Sequence, residues 1–520
     1  MHAHVLIVGG GPTGMTLALQ LQRYGIPFRL IDKRLPEPSG SKALSLNPAS
    51  LALLADLGVA EGLLERGQRA EVINLHYANR PLTRIRFAQL PSPYRFFLML
   101  PQPETEAVLL QRLQQLGQQV ERGVELCHLQ NQADGSVQVE LAEQGVRRRQ
   151  RFSHVVGCDG GLSQVRQEMG AQFSGHDYDM HFILADLKVR WDGPLEQGHY
   201  FVTEQGFAIL LPLQAGYHRL VIKVNQRCTP GYKPSLAELQ AYLQRYGLGA
   251  IELSEPIWLS SAPFYNRRAS VLRQGNVFLA GDAAHLFSPI GGFGMNTGIA
   301  DAFNLGWKLA YSLRGAGNAA LLESYVSERD TVIERLLAKT DLSTSLIARL
   351  DRHSAADEAR YLPHMANRGF IRQLAIETAG LALRYGEGSA TAEVGSLLPG
   401  MPAQVVQPAI GHMQHTVLVY PGEHSTAALK QLRQRLALLE AWTRCYCLID
   451  PGQTLDGAAA SAFVDPQGLL RRTWSMQPGD VLVVRPDLYI GWRGRLDNLG
   501  DLDRWLAQYG LLAARAEAVA

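Results

Sequence analysis

Apolar positions at the start of the chain change period twice. His4–Val8 is a short β-branched run that predicts a strand. Gly9-Gly10-Gly11-Pro12-Thr13-Gly14 follows as a tight glycine turn. Met15–Tyr24 then places Leu17, Leu21 and Tyr24 at helical spacing, and Gly25 stops the helix. Phe28–Ile31 is a second strand ending at Asp32, so the unit is β-α-β. Pro48–Leu57 reads as a helix with Asn47 as its N-cap, and Glu104–Leu116 as another. Val120–Val156 alternates as antiparallel strands do, with a turn at Asp134-Gly135. Residues 172 to 272 are rich in strand patterns, with turn signals at Asp192-Gly193, Gly206 and Gly216. A helix at Leu236–Tyr246 interrupts them. Val277–Ala280 is a buried strand, and a second glycine-rich loop occupies Gly291–Gly298. Long helical patterns fill Thr297–Leu383.

At Gly388–Gln407 the chain turns to Gly, Pro, Ala and Ser, which predicts a linker. A separate small α/β pattern begins beyond it. Thr416–Tyr420 and Arg444–Ile449 are strands around a helix at Ala427–Leu438. Val481–Arg485 and Leu488–Trp492 form a hairpin about Pro486-Asp487, and Leu502–Tyr509 is a closing helix. The expected division is therefore 1–171 and 273–396 as two parts of one unit, 172–272 as a sheet unit between them, and 408–520 as the last. No internal repeat appears.

Composition narrows the function classes. Of 520 residues, 46% are hydrophobic and 19% charged, which excludes wholesale disorder. Lys+Arg 50 against Asp+Glu 48 leaves a formal charge of +2, without the footprint of a nucleic-acid binder. The basic run Arg147-Arg148-Arg149-Gln150-Arg151 lies in a predicted hairpin strand and reads as a solvated edge. Five cysteines, an odd number in a long chain, imply no disulfide framework. Cys445 and Cys447 share one face of a strand and read as structural thiols. No signal peptide and no membrane-spanning run is found, so the expected compartment is the cytoplasm.

Chemistry concentrates in three motifs. Gly9, Gly11 and Gly14 form G-x-G-x-x-G between a strand and a helix. Gly9 permits the turn, Gly11 lets backbone approach a pyrophosphate, and Gly14 lets helix and strand pack closely. The helix start offers free N–H groups and the positive end of its dipole. Asp32 ends the next strand, where a carboxylate accepts from ribose hydroxyls. These features predict dinucleotide binding, with NAD and FAD left open. The second motif is Gly157-Cys158-Asp159-Gly160 with Ser163 and Arg166. The third is Gly281-Asp282-Ala283-Ala284-His285, then Pro289 and Gly291-Gly292-Phe293-Gly294-Met295-Asn296-Thr297-Gly298. A glycine loop leading straight into a helix gives N–H donors and a dipole suited to the pyrimidine edge of a reduced flavin, which carries negative charge.

The three motifs in this order, supported by Gln102 with Glu106 and by Ser324-Tyr325 through Glu328-Arg329, resemble the class A FAD-dependent aromatic monooxygenases of the p-hydroxybenzoate hydroxylase fold, over residues 4 to 340. The resemblance implies an α/β (α+β) fold. A Rossmann-like FAD-binding domain would interleave with an antiparallel β-sheet substrate domain, and 408–520 would be a thioredoxin-like domain lacking C-x-x-C. It implies FAD contacts from Gly9, Gly11, Pro12, Thr13, Gly14, Asp32, Lys33, Gln102, Leu126, Asp159, Asp282, Pro289, Gly291, Gly292, Gly294, Met295 and Asn296. Lys42 stands where the family has an arginine, and Phe293 where it has glutamine. Arg219 resembles an arginine implicated in flavin positioning, against which stands the reading of a solvated strand arginine. Pro289 is the second residue the resemblance places among the catalytic groups. His199, Tyr200, Tyr217 and His218 fall in the same stretch, where a proton relay from a phenolic substrate is needed, and no base is named among them.

The activity so implied is an NADPH- or NADH-consuming hydroxylation of an aromatic or polyketide-like substrate through a flavin C4a-hydroperoxide, with O2 as co-substrate. Its expected partners are a small aromatic or polycyclic substrate and a second copy of the chain in a homodimer. Alternatives stay open: a halogenating, Baeyer–Villiger, epoxidising or drug-inactivating enzyme of the same fold, or a non-catalytic FAD-binding protein.

Overall fold

The strand that opens the chain is central because all four of its residues, Val5–Val8, are buried. In the computed structural model it lies between Phe28–Asp32 and His154–Gly157, both parallel to it. The structure describes residues 4–35, 43–203, 205–224, 228–229, 231–288, 290–348, 367–385, 393–398, 413–421, 426–437, 439, 441–451 and 461–511. Val277–Leu279 and Glu121–Arg122 extend the parallel sheet on either side, and Arg273–Gln274 closes one edge antiparallel. The helix Pro12–Arg23 follows the first strand and packs on the long helix Phe293–Leu313.

Two stretches depart from the pattern read in the sequence. Only Val124–Asn131, Val137–Glu143 and Val146–Phe152 form the antiparallel meander expected of 120–156. His154–Gly157 is fully buried and joins the parallel sheet; its unbroken apolar run is the mark of a strand covered on both faces. Val72–Tyr77 and Arg80–Arg86, unassigned from sequence, are the last two strands of the eight-stranded sheet. In order, that sheet runs His285–Leu286, Glu252–Ala269, Phe173–Arg190, Tyr217–Val224, Gly206–Pro212, Gly198–Thr203, Val72–Tyr77 and Arg80–Arg86. The helix Leu236–Arg245 covers one face, with Leu239 and Leu243 against Leu220 and Ile222. Gly206, read as a turn signal, also serves close approach: a Cβ there would lie 2.1 Å from the Tyr246 ring. The run Arg147 to Arg151 lies on the outer strand of the meander, with Arg147 and Arg149 near Glu140.

In the C-terminal unit, His415–Tyr420 is the middle strand of five. Thr443–Ile449 and then Ser461–Val464 lie parallel on one side; Asp480–Val484 and Ile490–Arg495 lie antiparallel on the other. Helices Thr426–Ala437 and Gly500–Gln508 match the expected ones, while Ser461–Val464 and the short helix Leu469–Thr473 are additions. Part of the segment read as a linker is not solvated: Ser396 pairs with Arg384, Leu397 pairs with Tyr489, and Leu397 and Leu398 are buried. Burial pushes the thiols of Cys445 and Cys447 up to about 12 and about 11, as suits inert structural cysteines, and all five cysteines are free.

His415 joins this unit to the long helix. Its ring is 2% exposed and packs against Trp307, Tyr311 and Trp505. Burial, with the charge of Arg485, pushes its pKa from 6.5 down to about 3. Between those two values the unfolded chain binds a proton that the folded chain does not, so stability falls as pH drops below 6.5. Urea unfolding at pH 7.5 and 5.5 should differ by about 1 kcal/mol from this group. His415→Asn should remove that share of the slope; an unchanged slope would show that the histidine does not fold as the neutral base.

Candidate active site

Three loops meet at Thr13. A Cβ on Gly281 would lie 2.5 Å from Thr13 Oγ1, and one on Gly298 would lie 2.3 Å from the same atom. The first and third motifs thus touch only because two positions lack side chains. The second motif joins through Arg166, whose guanidinium donates to the carbonyls of Ala283 at 2.9 Å and Gly161 at 2.7 Å. Gly9 has φ +109, and a Cβ there would strike the Cys158 carbonyl at 2.2 Å. A Cβ on Gly14 would strike the Gly9 carbonyl at 1.9 Å. Gly11 differs, because a Cβ there would meet no described atom within 4 Å. It is also the N-cap of Pro12–Arg23 and makes no side-chain cap, so the first N–H groups of that helix face the same open side. Pro12 sits in the first turn, where a missing N–H is harmless.

Acids border this opening. Asp32 accepts from Gly10 N at 2.9 Å, from Arg34 N at 2.8 Å and from Arg122 at 3.1 Å. Burial alone would raise its pKa, but the hydrogen bonds and charge of Arg34 hold it below the usual carboxylate range. Lys33 beside it is exposed. Asp282 is the exposed member of a run whose neighbours Gly281, Ala283, Ala284 and His285 are all buried. Its pKa is nevertheless raised, first by desolvation. Exposed between buried neighbours, Asp282 faces the open side of the glycine loops. Its carboxylate makes no hydrogen bond among the described residues. Asp301 behind it is fully buried and accepts from Gly281 N at 2.9 Å, His285 Nε2 at 2.7 Å and Arg329 Nε at 2.6 Å. Burial opposes its ionisation, yet Arg329 and His285 hold its pKa at about 2.

The second glycine loop enters Phe293–Leu313 through Gly291 and Gly292, with φ +94 and +67. Gly294 repeats the property of Gly11: a Cβ there meets nothing described within 4 Å. Met295 is half-buried beside it. The Asn296 side chain faces inward, donating to the carbonyls of Ser45 at 2.9 Å and Gly292 at 2.7 Å and accepting from Asn47 N at 3.0 Å. It fixes the loop and leaves the backbone N–H groups of the helix start for a ligand. Phe293 is buried in the core. Gln102 donates to Glu106 at 2.8 Å, and its N–H donates to Ala43 O at 3.2 Å. Leu126 is buried on Val124–Asn131, the edge strand of its sheet. Asp159 caps a helix, accepting from Ser163 Oγ at 2.5 Å and from the N–H groups of Gln164 and Val165. Lys42 and Pro289 lie outside the described residues.

The eight-stranded sheet supplies the facing wall. Trp258, Asp186, Arg219 and Leu211 stand in one row across four neighbouring strands. Arg219 is 2% exposed and holds Asp186 through two bonds of 2.5 and 2.8 Å. Its guanidinium lies 4.4 Å over the Trp258 ring. The reading of a solvated strand arginine is thereby replaced by a buried ion pair, because both faces of the strand Tyr217–Val224 are covered. The same face carries an apolar floor of Phe182, Leu184, Phe207, Ile209 and Phe264, onto which Tyr200, Val221 and Ile290 pack. Ile290 belongs to the loop preceding Gly291, so this face is the one turned to the glycine loops. Tyr200 pairs in register with Ile209 on it. The Tyr200 hydroxyl has no partner among the described residues, and burial pushes its pKa up to about 12. His199 and His218 sit on the opposite face, His199 beside His76 at 3.0 Å and His218 on the Leu195 carbonyl at 2.9 Å.

Sequence reasoning missed Asp186, Asp301, Arg34 and Arg122. The first two carried a signal: an arginine in a buried strand or helix requires a buried acid. The cleft as built fits a flavin dinucleotide, with two side-chain-free stretches at helix starts, a ribose acceptor at Asp32 and an unpaired acid at Asp282.

Comparison with known proteins agrees. The family described as FAD binding domain matches residues 2–340. The 6-methylpretetramide 4-monooxygenase of Streptomyces rimosus is 32% identical, over 98% of this chain and 94% of its own. Pentachlorophenol 4-monooxygenase of Sphingobium chlorophenolicum is 30% identical, over 96% of this chain and 95% of its own. The solved structure of the anhydrotetracycline hydroxylase OxyS from Streptomyces rimosus superposes with a TM-score of 0.76 at 26% identity, covering 98% of this chain and 99% of that one.

Proposed function

We propose that this chain, which belongs to the FAD-binding-domain family of flavin-dependent monooxygenases, hydroxylates a phenolic, polycyclic aromatic or polyketide-like substrate bound between the glycine loops and the eight-stranded sheet. The observation that carries the reading is the apolar face shared by Tyr200, Val221 and Ile290 and bordered by Trp258. It spans five strands from Trp258 to Tyr200, about 19 Å at the usual strand spacing. That width suits fused rings, and the substrates named for the tetracycline-type relatives point the same way.

When bound, FAD supplies hydride acceptance from NADPH or NADH and the activation of O2. The chain's own residues do the rest. Gly11 and the first N–H groups of Pro12–Arg23 hold the pyrophosphate, with Thr13 beside them, and Asp32 holds the ribose. Asp282 binds the ribityl hydroxyls. The helix start at Gly292, Gly294 and Met295 stabilises negative charge on the reduced ring. Lys33, Lys42, Gln102, Leu126, Asp159, Pro289, Gly291 and Asn296 complete the proposed FAD contacts, several through backbone or by holding the loops. Arg219, fixed by Asp186 and Trp258, sets the ring's position against the sheet. The apolar floor keeps water out, and the Tyr200 hydroxyl orients the substrate phenol and takes part in moving its proton. We read the C-terminal unit as thioredoxin-like, a reading supported by its strand–helix–strand, hairpin and closing-helix order. We place the chain, as a homodimer acting without nucleic acid, in the cytoplasm, where its five free cysteines stay reduced.

Anaerobic stopped-flow reduction by NADPH and by NADH, with a panel of simple and polycyclic phenols, tests the reading. One compound should accelerate flavin reduction strongly and yield a hydroxylated product when oxygen is admitted. A flavin that every compound leaves unreduced, or a product without inserted oxygen, would refute it. Tyr200→Phe should lower kcat roughly 100-fold with FAD affinity unchanged. A parental kcat with a parental pH profile would remove Tyr200 from the mechanism.

A further inference from the structure

Behind the flavin loop a buried polar network continues into the C-terminal unit. On the helix Ala319–Ala348, the consecutive residues Glu328 and Arg329 point to different sides. Arg329 holds Asp301, and Asp301 holds Gly281 N and His285. Glu328 accepts two bonds from Arg485, at 2.6 and 2.9 Å, and one from Lys308 at 2.7 Å. Arg485 also bonds Asp487 at 3.0 Å, and Asn304 donates to both Glu328 and Asp487. The two halves join at Tyr385. Its ring stacks on Tyr489 at 4.0 Å and has the Arg329 and Arg485 guanidiniums 5.9 and 5.0 Å from its centre. Its N–H donates to Gly395 O, and Gly395 N donates to Ile490 O. Three acids, Asp301, Glu328 and Asp487, balance three bases, Arg329, Lys308 and Arg485; the C-terminal unit supplies one of each, Asp487 and Arg485, and losing either one alone leaves a buried charge unbalanced.

We propose that the C-terminal unit positions the flavin loop: Arg485, Asp487 and Tyr489 hold Glu328 and Tyr385, and through them the Arg329–Asp301 pair that fixes Gly281 and His285. The physical ground is that buried charges tolerate few arrangements. A neutral, fully bonded set has one low-energy geometry, whereas a set missing a member rearranges to bury less charge. Because Arg329 also approaches the Thr297 carbonyl, at 3.5 Å, both the Gly281 turn and the first turn of Phe293–Leu313 would move with it. Arg485 and Asp487 act through Glu328, and Tyr489 through Tyr385, so all three are positioning residues; Tyr489 also shares a small cavity with Phe293, Asn296 and Thr297.

The inference rests on the reading of Gly281–Gly298 as the flavin loop, and the test separates the two. Full-length Tyr489→Leu, Asp487→Asn and Arg485→Lys proteins would be compared with the parent and with Asp282→Asn as a reference. FAD affinity is read by fluorescence titration of the apoprotein, ring placement by visible circular dichroism, and fold by far-ultraviolet circular dichroism. Tyr489→Leu and Asp487→Asn should weaken FAD binding tenfold or more and alter the visible dichroism with the far-ultraviolet spectrum unchanged. Arg485→Lys, which keeps the charge, should weaken FAD binding less than either. If these variants lower only the unfolding midpoint and bind FAD within twofold of the parent while Asp282→Asn binds it poorly, the coupling is wrong. If Asp282→Asn also binds as the parent does, the loop assignment is wrong and the inference falls with it. Tyr489→Leu removes no charge, so it decides the matter even if Asp487→Asn does not fold.

Discussion

Gly11→Asp should give a folded protein that no longer retains FAD. The position is the one glycine of the fingerprint whose Cβ would meet no described atom, so the substitution introduces no internal clash. It does place a carboxylate at the helix start proposed to face the pyrophosphate. Like charges brought together cost several kcal/mol, so affinity should fall at least about 100-fold. Gly14→Ala makes the contrast. Its new Cβ would sit 1.9 Å from the Gly9 carbonyl, and backbone must move to admit it. That variant should lose stability first and FAD as a consequence. Measuring urea unfolding and FAD titration on both proteins checks the pair. A Gly11→Asp protein that binds FAD as the parent does would move the pyrophosphate site elsewhere.

The Asp186–Arg219 pair offers the second large effect. Arg219→Leu leaves a buried carboxylate without its ion-pair partner and should cost about 3–5 kcal/mol of stability. Asp186→Leu with Arg219→Leu removes both charges and should unfold within about 1 kcal/mol of the parent. Stability and chemistry then separate. If Arg219 positions the flavin, the stable double variant should still show NADPH-dependent reduction slowed roughly 100-fold with its best substrate. A double variant that reduces at the parental rate would leave the pair a purely structural one.

The glycine motifs were legible because their requirement is local. Gly9, Gly14, Gly281 and Gly298 answer to backbone contacts that no side chain could share, and such contacts leave the same mark in any sequence. Asp282 was legible for a similar reason, lying inside a motif. The partners of the buried arginines were not. Asp186 is 33 residues from Arg219, and Asp301 is 28 from Arg329, and only sheet register or helix packing brings them together. Periodicity separated the faces of the substrate strands without telling which face meets the cleft. Tyr200 and His199 therefore looked equally plausible until the register put Tyr200 opposite Ile209 and His199 opposite Leu210. The strand His154–Gly157 was misplaced because its buried run follows an alternating stretch with only Ser153 between them and no Gly, Pro, Asn or Asp to mark a break. The pair Val72–Tyr77 and Arg80–Arg86 went unassigned, since its parallel partner lies beyond residue 197.

The parallel sheet has a consequence for synthesis on the ribosome. Val5–Val8 leaves the exit tunnel roughly 150 residues ahead of its neighbour His154–Gly157, and Val277–Leu279 pairs beyond that. At about 5–20 residues per second the opening strand waits on the order of ten seconds for one edge, and the growing sheet waits longer for the next. During that interval its unpaired apolar edge is open to wrong partners. Yield in a cell should therefore depend on chaperones that shield nascent chains and on translation speed between Val5–Val8 and Val277–Leu279, more than on the stability of the finished protein.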